Sequence, residues 1–252
     1  MTESKFEWEI IRLGEVGSTN TELKAMARQG APEGTVLVAD SQLGGRGRLG
    51  RSWHSDGPWG LWASVLLRPQ TEPERAPFLG MLMALAAAKA LKRLSGLDAG
   101  IKWPNDIEVR GFKVAGILPE AGTSPYGLEW VVIGLGLNLM DPPSCFPEDL
   151  KGRAASIQAL AGISLSRDLT LLAVLDELKP LYSSFIDGMQ TEIVSEISSL
   201  STVEGKRITV SGGQGSFSAT ALKTELSGAL TVMDGEGRLI SLLSGEVSIR
   251  RS

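Results

Sequence analysis

Three short runs carry residue types that could do chemistry. The first is Gly44-Gly45-Arg46-Gly47-Arg48-Leu49-Gly50-Arg51. Its glycines remove side chains, so backbone N–H groups can approach a ligand closely. Its arginines add fixed positive charge and paired donors that suit a carboxylate or a phosphate. Such a loop is expected to be flexible when empty and ordered by an anion. A solvated Gly/Arg loop that touches RNA is the alternative on residue types alone. The second run is Lys102-Trp103-Pro104-Asn105-Asp106. Pro104 requires Trp103 to be extended, which fixes the direction of Lys102 at a strand end. A lysine held there beside Asn and Asp suits a group on which negative charge builds, although an ordinary strand–turn with an exposed lysine has the same composition. The third run, Gly134-Leu135-Gly136-Leu137-Asn138, sets two glycines in an apolar strand, a mark of close backbone approach. Asn138 must find polar partners there, from a ligand or from the core.

Other residues say less. Ser18-Thr19-Asn20 precedes a helix and reads as ordinary N-cap chemistry. The lone His54 beside Trp53 reads as a surface or stacking residue, and Cys145 in Pro142-Pro143-Ser144-Cys145-Phe146-Pro147 as structural. One histidine and one cysteine exclude a four-ligand structural zinc site, and a Ser-His-Asp triad unless it uses His54.

The elements that must position these runs follow from periodicity and punctuation. A helix is expected over Ser18–Gly30, with Thr19 and Glu22 as a capping box, followed by strands over Thr35–Asp40 and Leu61–Leu67. Pro77 opens a long helix to Leu94 that Gly96 closes, apolar on most faces and therefore packed under a sheet. Ile101–Trp103 is a short strand. Asp106–Val109 and Lys113–Leu118 form a hairpin around Arg110-Gly111, and Trp130–Leu139 is a further strand. Helices follow at Ser156–Leu160, at Ser166–Phe185 with an interruption at Pro180, and at Glu192–Leu200. After about Thr202 the pattern changes to five short strands, Lys206–Val210, Phe217–Leu226, Ala229–Met233, Leu239–Leu243 and Val247–Arg250. The turns between them are Gly-rich (Gly212-Gly213, Ser227-Gly228, Asp234-Gly235 and Ser244-Gly245), which suggests a small β-barrel. The fold class is therefore α+β, with residues 1–201 as one domain and 202–252 as a second.

Composition bounds the partners. The 252 residues carry 25 Lys+Arg against 29 Asp+Glu, a formal charge of −4, with 42% hydrophobic and 21% charged residues. That is an ordinary globular balance without the basic surplus of a non-specific nucleic-acid binder. No run of about 20 apolar residues is present, and the N-terminus lacks the basic start and apolar middle of a signal peptide. A single cysteine allows no intrachain disulfide. A cytoplasmic protein without membrane contact is expected.

Taken together and in order, the motifs resemble those of the bacterial biotin–protein ligases. The match runs through Ser18-Thr19-Asn20, Gln42 with Gly45-Arg46-Gly47-Arg48, Lys102-Trp103-Pro104-Asn105-Asp106, Lys113-Val114-Ala115-Gly116-Ile117, Gly134-Leu135-Gly136-Leu137-Asn138 and Gly245-Glu246-Val247-Ser248-Ile249-Arg250. The resemblance implies a mixed β-sheet flanked by helices, of the class II synthetase-like biotin–lipoate ligase type, and a C-terminal SH3-like barrel. It implies formation of biotinyl-5′-AMP from biotin and ATP with Mg2+, and transfer of biotin to a lysine of a biotin carboxyl carrier domain. By the same resemblance Ser18, Thr19, Asn20, Gln42 and Gly116 line the biotin end, and Arg46, Gly47 and Arg48 fold over biotin and the activated adenylate. Lys102 lies against the biotin carboxylate and the α-phosphate. Trp53, Asn105, Lys113, Asn138 and Arg250 belong to the ATP end, and Asp106 is a candidate magnesium ligand. A homodimer is left open.

Chemistry supports this independently. Carboxylate attack on the α-phosphorus brings two anions together, which cations must hold, and no protein nucleophile is needed. Three residues depart from the family pattern: Leu43, Leu49, and Pro119, where the end of the Lys113–Glu120 strand should lose pairing. Only 17 residues precede Ser18, too few for a winged helix, so no operator-DNA binding is expected. Rival readings are a lipoate or octanoate ligase or transferase of the same superfamily, a nucleic-acid module using the Gly/Arg loop, and a peptide-binding scaffold.

Overall fold

The computed structural model describes residues 6–142, 146–212, 215–243 and 245–249. The expectations for Cys145, for Arg250, and for parts of the Gly212-Gly213 and Ser244-Gly245 turns lie outside the described residues. Seven strands form one sheet: β1 (Glu9–Val16), β2 (Thr35–Gln42), β3 (Gly60–Leu67), β4 (Ala99–Lys102), β5 (Asp106–Val109), β6 (Phe112–Ser124) and β7 (Gly127–Asn138). Their order is β1-β2-β3-β7-β6-β5-β4. Only β1 and β2 run parallel, so the sheet is mixed. Strand β1 was not anticipated. It is half-exposed, and Glu9, Arg12 and Glu15 break the apolar signal that a central strand would show.

The helices are α1 (Thr19–Arg28), α2 (Ala76–Ser95), α3 (Ile157–Ala161), α4 (Arg167–Ile186) and α5 (Gln190–Ser199). Helix α2 is buried on nearly every face because it lies between the sheet and α4, and left-handed Gly96 ends it as its position predicts. Helix α4 is not interrupted at Pro180. Its proline sits on the exposed face, beside exposed Asp176, whose carbonyl can turn to water when its helical donor is missing. Meanwhile Leu178, Leu181, Tyr182 and Phe185 anchor the opposite face. The expected capping box on α1 is also absent. Ser18 is the N-cap without a side-chain bond, and Thr19 turns inward to Gln42 instead.

Pro119 does not end β6. It pairs with Ile133, and the strand continues to Ser124. Strand β5 covers β6 only as far as Gly116, so the proline falls where no ladder bond toward β5 is required. Its ring instead packs on Gly80 of α2.

A second, antiparallel sheet has the order β11-β10-β9-β8-β12, from β8 (Arg207–Gly212), β9 (Gly215–Thr224), β10 (Leu230–Asp234), β11 (Leu239–Leu242) and β12 (Glu246–Ile249). It shares one buried cluster with α2. Trp103, at the end of β4, donates Nε1–H to the Gly228 carbonyl at 2.9 Å, and Gly228 itself sits against the backbone of Phe78. The two sheets are thus joined directly beside Lys102. Trp103→Phe keeps the ring but leaves that buried carbonyl without its donor. The expected cost is about 1–3 kcal/mol, or several degrees of Tm at about 2–4 °C per kcal/mol. Calorimetry checks this, and an unchanged Tm would show that the bond does not hold the junction.

Candidate functional site

Strand register aligns the chemistry. Reading across the sheet, Trp62 pairs with Gly136, Gly136 with Gly116, Gly116 with Asp106, and Asp106 with Lys102. Residues in one cross-strand row share a face, so Lys102 stands on the face that carries the glycines. Ile101, Ile107, Ala115 and Leu137 belong to the buried cluster with α2 on the other face. With strands about 4.8 Å apart, Lys102 lies roughly 14 Å across the sheet from Gly136. The glycines are structurally required there. A Cβ on Gly116 would come within 2.8 Å of the Trp53 ring, one on Gly136 would collide with the same indole, and one on Gly134 would collide with the Asn20 amide.

A polar cradle closes one end of this floor. The Gln42 Oε1 accepts from the Thr19 N–H (2.8 Å) and hydroxyl (3.1 Å), and its Nε2 donates to Ser55 Oγ (3.1 Å). Ser64 Oγ lies 2.7 Å from Thr19 Oγ1 and 2.6 Å from Asn20 Oδ1. Asn20 Nδ2 donates to the Leu118 carbonyl (3.0 Å) and to Glu120 Oε2 (2.9 Å). Ser18, Thr19, Asn20, Gln42, Ser55 and Ser64 are all buried, and such a network fixes its side chains only because its members satisfy one another.

The Gly/Arg loop is folded on itself. Arg46 bridges Ser52, the Gly47 N–H donates to the Arg51 carbonyl at 2.7 Å, and the turn passes through Leu49 and Gly50 at positive φ. The loop delivers Trp53 onto Gly116 and Gly136, with Lys113 Nζ 5.2 Å above the ring. The Trp53 Nε1 is buried and has no hydrogen-bond partner among the described residues. Arg48 donates to Asn105 Oδ1 (3.3 Å) and to the Gly245 carbonyl of the second sheet (3.2 Å). Asn105 is itself clipped to β6 through Ile117.

The other cations meet carboxylates. Lys102 pairs with Glu108 at 2.9 Å, and Lys113 with Asp106 at 2.6 Å. Arg46 pairs with Glu120 at 2.9 Å, on the same oxygen that Lys24 reaches at 2.5 Å. Burial alone would raise the Glu120 pKa. Hydrogen bonds from Lys24 and Asn20, with the charges of Lys24 and Arg46, outweigh that and hold it below its ordinary 4.5. Among the described residues no three His, Cys, Asp or Glu converge as metal ligands would, and Asp106 already faces Lys113.

The structure therefore gathers Ser18, Thr19, Asn20, Gln42, Arg46, Gly47, Arg48, Trp53, Lys102, Asn105, Asp106, Lys113 and Gly116 on or beside one face. Asn138 lies at the far end of β7, buried, with its amide on the Ala155 carbonyl at 3.2 Å. Sequence reasoning missed Lys24, Ser55, Ser64, Glu108 and Glu120. Ser64 was detectable as the one polar residue within Leu61–Leu67, since a buried hydroxyl needs partners. The carboxylates gave no such sign, because Glu is common on exposed strand positions.

Comparison with known proteins agrees with this geometry. Residues 14–138 match the model of the biotin/lipoate A/B protein ligase family. The chain is 33% identical to the bifunctional ligase/repressor BirA of Bacillus subtilis, over 88% of this chain and 68% of that protein. It is 30% identical to a biotin–[acetyl-CoA-carboxylase] ligase of Mycobacterium tuberculosis, over 94% and 84% of the two chains. The structure of a biotin protein ligase from Aquifex aeolicus, in complex with biotin and ATP, superposes with a TM-score of 0.82 at 30% identity, covering 97% of this chain and 99% of that one.

The depressed Glu120 pKa sets a sign for acid unfolding. Its stabilising contribution is present above the unfolded value near 4.5 and is lost as pH falls through the lower folded value. The stability gap between the protein and Glu120→Gln is therefore expected to be widest at neutral pH and to close in acid. Urea unfolding across that range checks it, and a gap independent of pH would remove the ionised carboxylate from the account.

Proposed function

This chain belongs to the biotin/lipoate A/B protein ligase family, and on that premise we infer that it is an ATP-dependent biotin–protein ligase. It activates biotin as biotinyl-5′-AMP and passes the biotinyl group to a lysine of a biotin carboxyl carrier domain. The observation that carries the reading is the cross-strand row that aligns Lys102 with a glycine floor, under a loop bearing Arg46 and Arg48.

Each residue has a role on this reading. The Gln42–Thr19–Asn20–Ser64 cradle, with Ser18, supplies fixed donors and acceptors for the ureido ring of biotin, and Gly116 leaves room for it on the floor. The biotin carboxylate attacks the α-phosphorus of ATP and the bond to pyrophosphate breaks; magnesium would be held mainly by the nucleotide phosphates and would neutralise charge on the departing diphosphate. Lys102, Arg46 and Arg48 offset the charge of the two approaching anions and of the pentavalent phosphorus, where fixed cations act most strongly. Trp53, Asn105, Lys113, Asn138 and Arg250 are assigned to the nucleotide. The carrier lysine amine then attacks the mixed anhydride, its proton is lost to solvent, and AMP departs. A closed Gly/Arg loop keeps water from the anhydride.

A carrier of a biotin-dependent carboxylase is the inferred partner, in a cytoplasmic setting. The formal charge of −4 does not favour DNA. A homodimer would have the outer edge of β1 to pair through.

The direct test is incubation with ATP, magnesium, biotin and a carrier domain, read by streptavidin blot. Labelling of one acceptor lysine is expected. Transfer of lipoate or octanoate in place of biotin would move the chain to the other branch of the family. Lys102→Ala is expected to lower pyrophosphate release by on the order of 10²–10³ with the fold intact; near-native release would exclude Lys102 from the chemistry. Arg48→Ala is expected to let biotinyl-AMP escape and label lysines without selection. An unchanged off-rate of the intermediate would mean that the loop is no lid.

A further inference from the structure

Glu120 and Lys24 have no part in the reaction described above, yet they meet Arg46 at the junction of the cradle and the loop. Glu120 Oε1 receives both cations, Lys24 at 2.5 Å and Arg46 at 2.9 Å, while Oε2 receives Asn20. The two cations differ in environment. The Lys24 and Glu120 side chains are 14% and 20% exposed, whereas Arg46 is 47% exposed. The inner pair is held by its surroundings. The outer arginine makes an ion pair of the kind that water weakens.

We propose that Glu120 is a positioning residue that berths Arg46 while the site is empty, and that Lys24 is the counter-charge that lets Arg46 leave. This deepens the ligase reading and rests on it. An arginine on a glycine-rich loop would otherwise sample many rotamers; the berth holds the empty loop closed and competes with an incoming ligand for the guanidinium. The berth keeps the guanidinium beside the cradle. A phosphate or carboxylate entering the cleft offers a charge-assisted, bidentate partner that Glu120 Oε1, already shared with Lys24, does not. When Arg46 exchanges from carboxylate to ligand, Glu120 remains paired with Lys24 and hydrogen-bonded to Asn20. No partly buried charge is stranded, which is the event that would make the exchange costly. One carboxylate between two cations leaves a surplus positive charge at this point of the site, and the ligand supplies its negative partner.

Two variants with opposite expected signs test this. Without ligand, trypsin cleavage after Arg46 and Arg48 reports how often the loop opens. Glu120→Gln should speed it about two- to five-fold, the scale of one exposed ion pair, and Lys24→Gln should slow it, since Glu120 then has Arg46 as its only cation. For a non-hydrolysable biotinyl-adenylate mimic, Glu120→Gln should tighten binding and Lys24→Gln weaken it, each by a similar factor. Both effects should vanish in an Arg46→Ala background. Persistence there would mean a general field effect, and weakened binding in both single variants would mean a structural role. Either result overturns the proposal, as would cleavage rates equal to those of the unaltered protein. Lys24 lies on a surface helix, so Lys24→Gln carries the test if Glu120→Gln does not fold. The cleavage assay needs no ligand. Its failure alongside intact biotinylation would leave the ligase reading standing, whereas a mimic that neither binds nor protects the loop would count against the ligase reading itself.

Discussion

The register of the β3-β7-β6-β5-β4 ladder is the constraint on which the site depends. A slip of one residue in any of these strands would turn its entire set of side chains to the opposite face. Gly116 and Gly136 would then face α2, and Ala115 and Leu137 would fill the floor. The register is held by the other face, where Ile101, Ile107, Ala115, Ile117 and Leu137 are packed beneath α2 with almost no exposure. Fully burying one large aliphatic side chain is worth about 1.5–3 kcal/mol, so a slip that exposed several of them would cost as much as the whole stability of a typical domain. The apolar face thus secures the polar one.

On the open face, positive charge is stored in pairs. Lys102 with Glu108, Lys113 with Asp106, and Arg46 and Lys24 with Glu120 each keep a cation beside a carboxylate before any substrate is present. The carboxylates hold the cations in place, and the 47% exposure of the Arg46 side chain keeps its bond weak enough to exchange. A site for two mutually repelling anions needs both properties. Cations without fixed partners would be disordered, and fully buried pairs would not part.

The C-terminal segment from Thr202 onward contributes to the same face. Trp103 anchors on Gly228, Thr202 lies beside Gly100 and within 3.4 Å of Glu108, and Arg48 reaches the Gly245 carbonyl. Strand β4, the carboxylate beside its lysine and the Gly/Arg loop therefore all touch the chain from Thr202 onward, so a shift of that segment would be felt at Lys102 and Arg48 together.

Local rules in the sequence were enough for most of the elements and for the runs that the fold gathers on one face. Pro77 and Gly96 bounded α2, the Arg110-Gly111 turn joined β5 to β6, and the order of glycines, arginines and Lys102 pointed to anion chemistry, because each of these is a property of neighbouring residues. Where local rules failed, a long-range partner had prevailed. Thr19 gave up its capping box for Gln42, 23 residues away. Pro180 stayed within α4 because the opposite face is packed. Pro119 stayed within β6 because β5 stops short of it. Strand β1 exists because β2 offers it an edge. Glu108, Glu120, Lys24 and Ser64 entered the site only through pairings that span strands and helices, and Lys24 and Glu120 stand 96 residues apart. The sequence by itself determined which chemistry was available and on which short segments. Tertiary structure alone decided which carboxylate faces which cation, because that follows from strand register, and register is set by the burial of the opposite face.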